Sequence, residues 1–256
     1  MKKNNKYLLK LWVPIVLLIT FGSMSLLLGM VKDPFILIGP FMLIVVLFII
    51  KFRMGKKLIN ALQKDTPEPF IRAMIAPAKR ISQKDIREAS LAYNTALAYV
   101  IYGQYEEAVQ TMNNINWGTK EPIYQALPHN IRSLIHYFSG EITAGLASAR
   151  KARALASVSV FPGAKKSMET YDTYVEIGQI LSGINIDEHI NNIQIKYEKL
   201  PLLPKLIASW GLLNGYAQQH DMNKSRIMLE YCQSIAPHCK PLHLTQESSP
   251  PASILL

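Results

Sequence analysis

The stretch YVIYGQYEEAVQTM, residues 99–112, decides how the chain is to be read. Tyr99, Val100 and Tyr102 end one apolar helical pattern, Gly103 interrupts it, and Ala108 and Met112 begin a second pattern at helical spacing. Glu106 and Glu107 raise the question of a working carboxylate pair. Neighbouring residues on a helix point about 100° apart, so these two cannot face one substrate from opposite sides. They open the second helix, where negative charge interacts favourably with the positive end of the helix dipole. The stretch is a helix–turn–helix seam, not a catalytic dyad.

The same pattern extends outward. Ala89, Ala92, Ala96, Tyr99 and Val100 share one helical face, as do Ala108, Met112 and Ile115, and residues from about 85 to 236 keep helical periodicity. The breaks are short: Gly103-Gln104, Trp117 to Pro122, Ser139-Gly140, Phe161-Pro162-Gly163, Ser182-Gly183, Leu200 to Pro204 and His220-Asp221. No alternating apolar/polar run of strand length occurs. An all-α domain of antiparallel helix pairs follows. Upstream, Thr66-Pro67-Glu68 reads as a helix start, Ala76-Pro77 as an interruption, and residues 54–64 as an amphipathic helix along a membrane surface.

Gly103 with Tyr105, preceded by Ala96 and Tyr99 and followed by Ala108, Met112 and Ile115, resembles a tetratricopeptide repeat. Ala92 and Thr95 depart from that family at its leading tryptophan and leucine positions. A weaker copy is formed by Leu213, Tyr216, His220, Met222, Ser225, Leu229, Cys232 and Pro237, and two degenerate turns lie at Gly140-Glu141-Ile142 and Gly183-Ile184-Asn185. The four turns are spaced 37, 43 and 37 residues, longer than the family period of about 34. The resemblance covers residues 85–237. It implies a TPR-like solenoid of three or four helix pairs with a concave groove lined by the first helix of each pair. In that register the groove residues are Tyr93, Leu97, Asn130, Tyr137, Trp210 and Asn214. An asparagine there would hold a peptide backbone and an aromatic would anchor a side chain. Each of these residues has a plain alternative in ordinary packing or solvated surface.

Enzymatic signatures are missing: no Gly-rich phosphate loop, H-E-x-x-H or G-x-S-x-G is present. Cys232, His238, Cys239 and His243 are the one cluster of metal-ligand types. Their spacing fits no paired zinc pattern, and Cys232 falls on a packing position. We expect no catalytic residue, no metal and no cofactor.

The N-terminus carries a different message. Residues 11–31 and 34–50 contain no charge, and each is long enough to cross a bilayer, which takes roughly 17–25 apolar residues. Two such runs separated by Lys32-Asp33, without a small-residue cleavage site, predict a transmembrane helical hairpin rather than a signal peptide. Of the net charge of +10, residues 1–57 hold +8. The excess therefore belongs to the flanks of the spans, and the rest lacks the basic stripe that nucleic-acid binding needs. Lysine-rich flanks on both sides predict cytoplasmic termini.

The expected organisation is a membrane anchor over 1–57, juxtamembrane linker helices over 58–84, a helical repeat domain over 85–240 and a disordered tail over 241–256. The expected role is a membrane-anchored cytoplasmic scaffold that binds a protein or peptide partner. The alternatives are a structural or regulatory subunit that interacts through the hairpin, and an enzyme with an unrecognised site.

Overall fold

The computed structural model describes residues 46, 52–160 and 164–239. The apolar runs expected to span a membrane, Val46 apart, and the tail from 241 lie outside the described residues. Among the described residues all regular structure is helical, and no helix is long and apolar enough to cross a membrane. The chain divides into two compact units, Met1–Lys56 and Lys57–Leu256, and the helical domain is the second.

Helix α1 runs Pro67–Ala78 and is followed by four helix hairpins. Lys84–Ile101 (α2) pairs with Tyr105–Asn113 (α3), and Pro122–Phe138 (α4) pairs with Ile142–Ser157 (α5). Ala164–Leu181 (α6) pairs with Ile186–Tyr197 (α7), and Leu202–Gln218 (α8) pairs with Met222–Ile235 (α9). The first helices of successive hairpins also touch: α2 with α4, α4 with α6, and α6 with α8.

The four turns are one structure repeated. Gly103, Gly140, Gly183 and His220 all have left-handed backbones, with φ of 73°, 79°, 72° and 59°. At each, the left-handed residue donates its N–H to the carbonyl three residues back, and the next residue donates to the carbonyl five back. The first turn shows the pattern, with Gly103 N–H to Val100 O at 3.0 Å and Gln104 N–H to Tyr99 O at 2.9 Å. The last repeats it, with His220 to Ala217 and Asp221 to Tyr216. These are Schellman closures, which satisfy helix-end carbonyls left without intrahelical partners.

Small residues then let the two helices of a hairpin close. Ala108, Gly145 and Ser225 each stand five positions beyond their turn residue, and all three are buried. The Ser225 hydroxyl donates to Leu213 O at 3.3 Å, and a Cβ added to Gly145 would sit 3.2 Å from Ser133 O. The third hairpin solves the same contact differently. Asn185, also left-handed at φ 43°, adds one residue to its turn. The equivalent position is taken by His189, which pairs with Glu176 of α6.

One expectation upstream is corrected and another is refined. Pro77 does not break α1 ahead of itself: it lies inside the helix, which ends one residue later at Ala78. Part of the apolar face of residues 54–64 packs on the domain rather than standing free. Ala61 and Leu62 are buried in the domain core, where Tyr102 at the end of α2 places its hydroxyl 2.9 Å from Lys64 O and 3.3 Å from Leu62 O. Gln63 Nε2 reaches Ser234 O of α9 at 3.4 Å. The segment thus ties the first hairpin to the last.

Candidate functional site: a groove across the first helices

One groove, of about 350 Å³, is lined by all four first helices. Tyr93 and Leu97 come from α2, Leu127 and Asn130 from α4, Thr170, Tyr171 and Tyr174 from α6, and Leu202 to Pro204 from the start of α8. Met74 of α1 and Leu58 close one side. Its size lies in the range of ligand-binding clefts, roughly 300–1,000 Å³. None of the described residues that line it is charged.

Its floor is polar. Asn130 is 1% exposed, and its Oδ1 accepts from the Tyr93 hydroxyl at 3.2 Å. The amide Nδ2 of Asn130 has no partner among the described residues. Neither do the hydroxyls of Tyr171 and Tyr174. Burial pushes the phenols of Tyr93, Tyr171 and Tyr174 above their ordinary range, and the last two are pushed further by their phenol neighbours. They stay protonated and act as hydrogen-bond donors. These donors line the groove, where a bound acceptor would pair with them; the fully buried side-chain atoms without a partner among the described residues are instead Gln179 Oε1 and Trp210 Nε1.

The structure brings Tyr93, Leu97 and Asn130 together in this groove and places the other expected groove residues elsewhere. Tyr137 is buried at 2% exposure, with its hydroxyl donating to Tyr174 O at 3.0 Å. Trp210 is in the core, edge-on to Phe138 at 4.8 Å between ring centroids. Asn214 turns back to donate to Trp210 O at 2.8 Å. The reason is steric: glycines at 145 and 178 leave space that the Tyr137 ring fills, so a residue on the nominal groove face turns inward. Tyr171 and Tyr174 were not expected in the groove. They stand one helical turn apart on α6, a spacing that marks a shared face but not which way it points.

Glu106 and Glu107 are exposed, as the seam reading requires. Cys232 and Cys239 are fully buried in the core, and burial pushes the Cys232 thiol up to about 12. His243 lies outside the described residues, and among those described no group of three or more His, Cys, Asp or Glu is arranged to hold a metal. No family model, no curated protein and no solved structure matches the chain.

Proposed function

We propose that this chain is a membrane-anchored helical-repeat scaffold that holds an extended, uncharged stretch of a partner protein. The apolar runs 11–31 and 34–50 are read as a two-span anchor with both termini on the cytoplasmic side. The repeated Schellman turns and stacked first helices favour a tetratricopeptide-like array. The single observation that carries the binding role is Asn130, buried at the groove floor with an unused amide donor. A peptide carbonyl is the acceptor that fits it, and the phenols of Tyr171 and Tyr174 offer further donors along the same line. With no charge among the described lining residues, an uncharged apolar or proline-bearing segment suits the groove better than an acidic or basic one.

The test is site-specific photo-crosslinking of the full chain in its membrane. A photoreactive residue at Leu127 should capture a partner that the same residue at exposed Val109 does not. Asn130→Leu, close in volume, should abolish the adduct while leaving the circular dichroism spectrum intact. Equal capture from both positions would sink the groove reading. A partner set indifferent to Asn130→Leu but lost when residues 11–50 are exchanged for another span pair would point to the hairpin as the interacting element.

A further inference from the structure

A second cavity, of about 410 Å³, lies away from the groove, between the end of α3, the 3-10 turn Trp117–Thr119 and the second hairpin. Three basic side chains line it: His129 and Arg132, one turn apart on α4, and Lys151 of α5. No acidic residue lines it, and neither Arg132 nor Lys151 has an ion-pair partner among the described residues. The other polar lining groups are neutral: Asn113 from α3, Trp117 from the 3-10 turn, and Gln125 of α4 itself, whose amide donates to Lys120 O at 2.7 Å. Beyond residue 57 the chain is close to electrically neutral, so cations gathered here without a counter-charge are a local arrangement rather than a share of a general excess.

We infer that this cavity binds a tetrahedral oxyanion, a phosphoryl or sulfate group, with any apolar carrier packed against Trp117 and Leu155. Three basic side chains on two helices around one cavity offer donors to such a group, and charge-assisted hydrogen bonds are the stronger kind. Trp117 lines the cavity and is held by the bond its Nε1 donates to Met112 O at 2.7 Å. Burial first, then the charges of Lys151 and Arg132, lower the His129 pKa to about 4, so the ring is neutral near neutral pH. A bound dianion reverses the charge effect and raises that pKa. Binding therefore takes up a proton, and affinity rises as pH falls toward 4.

Calorimetric titration of the detergent-solubilised full chain tests this, with phenyl phosphate and inorganic phosphate as probes near neutral pH. The wild type should bind at one site, and Arg132→Gln combined with Lys151→Gln, both at exposed positions, should weaken binding at least about tenfold. Tighter binding of phenyl phosphate than of phosphate identifies an ester as the ligand class, and equal binding identifies the free ion. Sulfate, which does not titrate in this range, isolates the histidine. Its affinity should rise between about pH 7 and about pH 5 in the wild type and stay flat in His129→Gln. Binding that survives the double substitution, no saturable binding of any probe, or a pH profile that His129→Gln leaves unchanged would overturn the assignment.

Discussion

The Tyr93 hydroxyl donates to Asn130 Oδ1 across 37 positions of sequence, and Tyr137 donates to Tyr174 O across the same interval. Gln218 Nε2 donates to Ile180 O across 38. The Tyr93–Asn130 separation equals the spacing of the turns at Gly103 and Gly140. Tyr93 and Asn130 occupy the same register in successive hairpins, each ten positions before its turn glycine. Tyr137 and Tyr174 instead join hairpins whose turns stand 43 apart, so that bond links the second and third first helices out of register.

The turns predict opposite effects of two substitutions. An added Cβ at Gly140 meets nothing within 4 Å, so Gly140→Ala isolates the backbone cost of φ +79°, about 1 kcal/mol. His220 already carries that cost, and His220→Gly should raise stability by up to about 1 kcal/mol. Thermal unfolding of the full chain in detergent should show a shift of a few degrees downward for the first and upward for the second. Shifts of the same sign would refute a shared turn geometry.

Tyr137 is held between two glycines. A Cβ at Gly178 would overlap the Tyr137 hydroxyl and the Leu146 side chain. Gly178→Ala should therefore destabilise the domain by about 1–3 kcal/mol. Adding Tyr137→Leu, which empties the space, should restore part of that loss, and a double-mutant cycle in denaturant measures it. Strict additivity would mean that the ring is not what resists the methyl group.

Tyr102 clasps residues 61–64. Tyr102→Phe removes the donor to Lys64 O and should cost about 1 kcal/mol. Hydrogen exchange should accelerate selectively in residues 58–64, because that segment is tied down by few other polar contacts. Unchanged exchange there would show that Leu62 burial alone holds the segment.

Cys232 and Cys239 should resist alkylation in the folded chain near pH 8 and react at the rate of opening, since both are fully buried. The raised Cys232 pKa has a defined sign. Folding favours the protonated thiol, so the stability it contributes is intact below the unfolded value of 9.0 and is lost as pH rises toward about 12. Between about pH 9 and about pH 11 the denaturant midpoint should fall more steeply with pH in the wild type than in Cys232→Ala, and parallel profiles would refute the thiol's contribution.

The helices and their turns were legible from local chemistry. Glycine at 103, 140 and 183 marks backbones that other residues adopt at a cost, and the apolar spacing on either side marks the helices that those turns join. His220 was legible only through its register in the weaker repeat, because nothing in a histidine signals a left-handed backbone. The extra residue at Asn185 went unread for the same reason, and with it the His189–Glu176 pair that replaces the small-residue contact of the other hairpins.

Which face each side chain occupies was decided elsewhere. By itself the sequence determined an all-helical domain, the place of its four turns, and an uneven charge distribution that leaves the domain nearly neutral. Helix formation and turn chemistry depend on neighbours within about four residues, so a linear reading reaches them. Only the tertiary structure decided that Tyr137 and Trp210 pack inward while Tyr93 and Asn130 meet at the groove floor. It also gathered His129, Arg132 and Lys151 around one cavity. Burial and electrostatics are set by what stands opposite, and here those opposing groups come from other helices, often a whole hairpin away along the chain.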